Sequence, residues 1–342
     1  AAIPRELVTH RVVDAGGHPD AGEIPDWGAA DLDGSGGDAY VSDGGSTDGP
    51  SHYAGTYKVG ARDFDIVRKS IRETAVIADG SNGGYVVAFA DASGPQGFRI
   101  HALTMRSAGA GTLPALGPEV ELDDIGAVEH WGQTPDLADG RDAQGGLMLA
   151  VWYDCRSPGC PNGDLEIYGQ RMRALPDGTI GLVGGNINIS NAPGENEDRP
   201  CVGFDAASGT FFVAYSSTRE AALRVDGKVL LGRTVAADGT VGPEVRLGED
   251  EHWQVNCAVS GGDGRFLVAW SDYVHVTEPD GELNTGYRVR LVEQGAPGPV
   301  LPAQRLGNII PARPGVAYNR RAGEWMVNYA INGASIHSVI YK

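Results

Sequence analysis

Two nearly identical segments gather residue types that can do chemistry: Glu129-His130-Trp131-Gly132-Gln133 and Glu251-His252-Trp253-Gln254. Each sets an imidazole beside a carboxylate and an indole. A third histidine, His18, sits in Gly17-His18-Pro19-Asp20, and three arginines, Arg72, Arg199 and Arg313, fall between the histidines, so that His and Arg alternate along the chain. Soon after each histidine comes a short polar motif: Pro25-Asp26-Trp27, Pro135-Asp136-Leu137 and Val255-Asn256-Cys257. Carboxylates held near imidazoles and guanidiniums are the material of general acid/base chemistry. Two carboxylates at a suitable separation hydrolyse a glycosidic bond. A histidine base flanked by arginines suits β-elimination from a uronic acid sugar, with arginine gripping the substrate carboxylate.

On this reading His130, His252, Asp26, Asp136, Arg199 and Arg313 are the catalytic candidates. Trp131 and Trp253 offer faces for sugar rings, and Gln133, Gln254, Arg72 and His18 complete the substrate contacts. Two alternatives compete with it. The three histidines could converge on a divalent metal. The duplicated Glu-His-Trp could instead pack one repeat against the next, with each arginine pairing to a neighbouring acid.

Whether these residues meet depends on the elements that carry them, and the chain is a repeat. One segment recurs as Gly84-Tyr-Val-Val-Ala-Phe89, Gly146-Leu-Met-Leu-Ala-Val-Trp152, Thr210-Phe-Phe-Val-Ala-Tyr215, Arg265-Phe-Leu-Val-Ala-Trp270 and Glu324-Trp-Met-Val-Asn-Tyr329. A shorter copy is Asp38-Ala-Tyr-Val-Ser-Asp43. The terminal aromatics from Phe89 to Tyr329 are spaced by 63, 63, 55 and 59 residues. Each run has the length and β-prone composition of a buried strand. A short strand and a Gly/Asp turn precede it; an alternating strand, a turn such as Asp177-Gly-Thr179 and a fourth strand follow. Four strands joined by short turns at this period predict the blade of a β-propeller.

The last copy stops after its third strand, and the N-terminus opens with an unpaired strand, Glu6–Val13. Placing that strand at the outer edge of the last blade closes a ring of six four-stranded antiparallel blades in a single domain. Their bounds are roughly 23–72, 73–132, 133–198, 199–254, 255–312, and 313–342 with 5–14. In such a ring the loops leading into the inner strands share one mouth of the channel, which would bring the alternating His and Arg face to face.

Composition agrees. Gly supplies 51 and Pro 20 of 342 residues, a surplus that favours turns over helices. With 45 acidic against 27 basic residues the net charge is -18, and no Lys/Arg-rich run offers a surface for a polyanion. No apolar stretch approaches the length that spans a bilayer. Nucleic acid and membrane insertion are excluded as roles; a glycan is the expected partner, and a monomer the expected state. Cys155 and Cys160 bracket a small loop, while Cys201 and Cys257 fall at nearly equivalent places on adjacent inner strands. Two disulfides, Cys155–Cys160 and Cys201–Cys257, and a secreted or periplasmic location follow.

The repeats resemble a pattern of secreted bacterial β-propeller proteins, in which a Phe-Leu-Val-Ala-Trp-Ser-Asp strand is followed by Asp-Ile-Tyr-Gly-Gln-Arg-Val and Asp-Gly-Thr. Phe266–Asp272, Asp164–Met172 and the Asp-Gly-Thr turns at Asp177 and Asp238 carry the resemblance. It implies the fold and an extracellular life but no activity. The segment from Asp31 to Asp38 resembles the calcium loops of FG-GAP propeller repeats, with Asp31, Asp33, Ser35 and Asp38 as ligands to a structural Ca2+. It is one residue short before its closing Asp, has Ser35 for a usual Asp, and alternatively reads as a plain hairpin turn. Asp43–Pro50 resembles a sialidase Asp box but lacks the aromatic close and is discounted. The expected function is a secreted carbohydrate-active enzyme, lyase or hydrolase, at the channel mouth. The alternative is a non-catalytic lectin-like or adhesion propeller. Individual loops on blades of unequal length suit one composite site better than six equal ones.

Overall fold

The computed structural model describes residues 71–342 apart from 81, 95–96, 107–113, 125–129, 157–163, 219–227, 249–251, 278–282, 294–295, 308–312 and 332–334. The first and shortest repeat copies, the N-terminal strand, His18, Asp26, the calcium-type loop (Asp31, Asp33, Ser35 and Asp38) and Cys160 lie outside the described residues. The chain divides into two compact units. One is Arg11–Ile66; the other takes in Val67–Lys342 and holds every described residue.

Every element among the described residues is a strand, and the strands form five sheets that follow chain order and are antiparallel but for the pairing of the short β6 with β3. The first sheet has β1 (Ile71–Asp79), β2 (Gly84–Gly94) and β3 (Gly97–Arg106), with the short β4 (Ala115–Leu116), β5 (Val120–Glu121) and β6 (His130–Trp131) alongside β3. The second holds β7 (Gln133–Asp142), β8 (Gly145–Cys155), β9 (Leu165–Ala174) and β10 (Ile180–Asn188). The third holds β11 (Glu197–Asp205), β12 (Thr210–Ser217), β13 (Val229–Ala236) and β14 (Val241–Arg246). The fourth holds β15 (His252–Gly262), β16 (Arg265–Thr277), β17 (Leu283–Glu293) and β18 (Ala296–Gly307). The fifth has three strands, β19 (Gly315–Asn319), β20 (Glu324–Ile331) and β21 (Ser335–Tyr341). The recurring apolar segment is the second strand of each sheet, and the last copy ends on its third, as the repeat predicts.

The period has a packing cause. Each hydrophobic core is shared between two successive sheets, which buries both faces of the second strand in the second, third and fourth sheets and one face of β20, which carries Trp325, Val327 and Tyr329. From the second sheet onward, the terminal aromatic of the second strand enters the layer toward the preceding sheet. Trp152 does so with Val86, Ala88 and Ile100, Tyr215 with Leu147 and Leu149, Trp270 with Phe212, and Tyr329 with Tyr287. Fully burying a side chain of this size stabilises by about 1.5–3 kcal/mol, which is why each copy keeps an aromatic there.

The first strands pack in series, β1 on β7, β7 on β11, β11 on β15 and β15 on β19. Glycine makes the closest approach possible. A Cβ on Gly261 would lie 2.4 Å from the carbonyl oxygen of Phe204, and one on Gly203 would lie 2.9 Å from that of Val259. The backbones of β11 and β15 therefore touch directly, and the residues that open these strands are drawn to one locus.

Candidate functional site at the start of the first strands

Each of the first four sheets opens with a β-bulge on its first strand. Register with the second strand shifts between Ile71 and Thr74, Gln133 and Asp136, Asp198 and Cys201, and Val255 and Ala258. In three of them the extra residue is a non-glycine in the left-handed region: Thr134 at φ 52°, Arg199 at 49° and Asn256 at 56°. Bulges re-aim side chains next to active sites, and backbone held in this way persists only where its surroundings over-determine it.

The bulges bring the polar residues together. Asp136 Oδ2 accepts from Arg313 Nη2 at 2.7 Å and from the Val202 N–H at 3.0 Å. This ion pair joins β7 to the approach to β19 across 177 residues of chain. Arg313 also donates from Nε to the Cys257 carbonyl at 2.8 Å, and Arg199 Nη1 donates to Asn256 Oδ1 at 3.1 Å. The Asp136 side chain is 17% exposed while that of Arg313 is 44% exposed. Burial pushes the Asp136 carboxyl above its ordinary range, and the Arg313 guanidinium and the N–H groups of Val202 and Leu137 offset part of that rise.

Beside the pair lie groups that the sequence reading does not single out. The Tyr153 hydroxyl donates to Gln133 Oε1 at 2.7 Å, Glu73 accepts from the Thr134 N–H, and Lys228 is ion-paired with Asp198. Burial, then the negative charges of Glu73 and Asp198, push the Tyr153 phenol up to about 12, so it stays a hydrogen-bond donor at neutral pH. One signal could have found it. Tyr153 stands opposite the start of its bulge, where the third and fourth sheets carry the small residues Ser216 and Ser271.

The expected residues separate into three groups. Asp136 pairs with Arg313, Arg199 bonds Asn256, the residue before the Cys257 whose carbonyl holds Arg313, and Gln133 is bonded by Tyr153. Gln254, expected to contact substrate, is 1% exposed; its side-chain oxygen accepts from the Leu230 N–H at 2.8 Å, so it braces the third sheet. Asn256, expected level with Asp136, instead occupies the bulge position of Thr134 and Arg199. The two Glu-His-Trp segments act first as backbone clasps. His130–Trp131 pairs in parallel with Gly97–Phe98 on β3, and Trp253 pairs in parallel with Lys228 ahead of β13. In each, the residue after Trp donates to the third strand of the preceding sheet or to the residue just ahead of it, Gly132 to Phe98 at 3.2 Å and Gln254 to Lys228 at 3.0 Å. The side chains of Arg72, His130, Trp131 and His252 lie outside the described residues.

No family model matches the chain, and no curated protein matches it. Among solved structures, it is similar to an exo-β-1,3-galactanase from Clostridium thermocellum at 10% identity and TM-score 0.46, covering 78% of this chain and 57% of that one. It is also similar to an N-acetylgalactosamine deacetylase from F. plautii in complex with blood group B trisaccharide, at 13% identity and TM-score 0.45, covering 76% of this chain and 79% of that one. A Hadza microbial sialidase gives 13% identity and TM-score 0.40; the match covers 74% of this chain and spans about half of the sialidase, 54%. What the site can do therefore follows from its own residues. It offers a proton-transfer group in Asp136, two exposed guanidiniums for an anion, and a neutral phenol whose oxygen can accept a hydrogen bond.

The Cys201–Cys257 disulfide is formed, with Cα atoms 5.8 Å apart, and both cysteines are buried. Cys155, at the end of β8, is disulfide-bonded as well. These bonds fit the oxidising compartment that the cysteine placement predicts. No helix among the described residues is long and apolar enough to cross a membrane.

Proposed function

We propose that this chain is a secreted carbohydrate-active enzyme that cleaves glycosidic bonds of an acidic glycan where the first strands converge. The observation that carries the reading is the Asp136–Arg313 pair: a mostly buried carboxyl with a raised pKa, held by an arginine whose remaining surface is open to a ligand. A carboxyl with a raised pKa retains a proton to deliver to a leaving oxygen. Arg313 and Arg199 would hold the substrate carboxylate, and the Tyr153 oxygen, whose proton goes to Gln133, would accept a hydrogen bond from a ring hydroxyl. Hydrolysis would use a second carboxylate, for which Glu73 is the candidate; elimination would use His130 or His252 as base.

The architecture proposed with it is a six-bladed propeller, closed by the N-terminal strand on the last blade. It is supported by the serial packing of the first strands and by the contact from the start of the fifth described sheet to the start of the second. A structural Ca2+ on Asp31, Asp33, Ser35 and Asp38 belongs to the same proposal. The test is a product assay against a panel of neutral and uronate polysaccharides. Unsaturated, ultraviolet-absorbing product marks a lyase, and new reducing ends without it mark a hydrolase. Several glycans bound per chain with no turnover would replace the enzyme by the lectin-like alternative.

A further inference from the structure

The Cys201–Cys257 disulfide lies inside the network that carries the arginines. Cys201 closes the β11 bulge two residues after Arg199, and Cys257 follows Asn256 in the β15 bulge. The Arg199–Asn256 hydrogen bond spans the same two bulges. The Cys257 Sγ lies 3.7 Å from the Arg199 carbonyl oxygen, and the Cys257 carbonyl anchors Arg313 Nε, whose Nη2 reaches Asp136. One covalent bond therefore sets the backbone position of two left-handed residues and of the carbonyl that orients a third side chain. Two flexible arginines converge on one ligand without first being ordered by it only if their anchors are fixed beforehand.

We infer that the Cys201–Cys257 disulfide is a positioning element of the arginine site, fixing Arg199 and Arg313 for an anionic ligand, and is not only a link between two sheets. The ligand half of this inference rests on the proposed function; the positional half does not. The test compares the wild-type chain with the Cys201→Ala/Cys257→Ala variant, with folding checked by near-ultraviolet circular dichroism. Two readouts are taken: affinity for an oligogalacturonate probe, and the Asp136 carboxyl titration followed by carbon-13 NMR.

In the folded variant the expected results are a loss of affinity of about 10- to 100-fold and a rise in the Asp136 pKa as Arg313 loses its anchor. A folded variant with wild-type affinity and a wild-type Asp136 titration would overturn the proposal. If the probe binds neither protein, the functional reading fails, while the Asp136 titration still decides the positional one. Should the double variant not fold, Arg313→Lys decides it: lysine keeps the charge but cannot bond Cys257 and Asp136 in the fork geometry of arginine. Its Asp136 pKa is expected to rise with the disulfide intact, and a wild-type titration there would overturn the inference.

Discussion

Arg313→Ala tests the central pair most directly. It removes the 2.7 Å ion pair to Asp136 and leaves that carboxylate with the N–H groups of Val202 and Leu137. Truncating one partner of a fully buried pair costs about 3–5 kcal/mol. Here the Arg313 side chain is 44% exposed, so water replaces part of what is lost, and the expected cost at neutral pH is about 1–2 kcal/mol. The pH dependence fixes the cause. The folded pKa of Asp136 lies above its ordinary 3.8, so folding favours the protonated form; that stabilisation is complete below pH 3.8 and is lost as pH rises through the folded value. Arg313 draws the folded pKa down, and its removal lets it climb further. The penalty of Arg313→Ala should therefore be smallest where Asp136 is protonated in both proteins, reduced there to the pH-independent loss of the bond to the Cys257 carbonyl, and should grow with pH through the folded pKa. Urea unfolding between pH 3.5 and pH 8 measures it, and Asp136→Asn/Arg313→Ala should recover the pH-dependent part of the loss. A penalty independent of pH, or a double variant no more stable than Arg313→Ala, would refute the reasoning.

Two further outcomes follow from single contacts. Tyr153→Phe removes the 2.7 Å bond to Gln133 and should cost about 1 kcal/mol, unchanged between pH 5 and pH 8 because the phenol titrates only near 12; unfolding curves at both pH values check it. Gly140→Ala would set a Cβ 2.5 Å from Phe211 Cζ and 2.8 Å from Phe204 Cδ2; a loss of about 1–3 kcal/mol is expected in thermal melts, with partial recovery when Phe211→Leu is added.

The fold was legible because its cause is periodic. One aromatic per copy fills the layer between successive sheets, and that demand writes Trp152, Tyr215 and Trp270 into the chain at nearly equal spacing. The disulfide between Cys201 and Cys257 was legible for the same reason. The site was legible only in part, because single-residue offsets decide which way a strand side chain points. Gln133 and Gln254 look equivalent, yet Gly132 intervenes after Trp131 and nothing intervenes after Trp253. Gln254 therefore takes the place of Gly132 and turns inward, while Gln133 falls one position further on and meets Tyr153. Bulges add the second offset, and they place Asn256 with Thr134 and Arg199 rather than with Asp136. Glu73 and Tyr153 come from strands whose own patterns are unremarkable; only the register across β1, β7 and β8 brings them together.

The left-handed residues at the bulges make these positions unusually replaceable in one sense and costly in another. Because the extra residue sits outside the hydrogen-bonded ladder, its side chain can change without moving any other residue of the strand to the opposite face. Thr134, Arg199 and Asn256 are three such sockets on three successive sheets, and each holds a different chemistry on the same backbone. Glycine at any of them would relax strain of about 1–3 kcal/mol and empty the socket in the same step. A chain selected for stability alone should drift toward glycine there, and one adapting to a new ligand should change these three residues before it changes a strand.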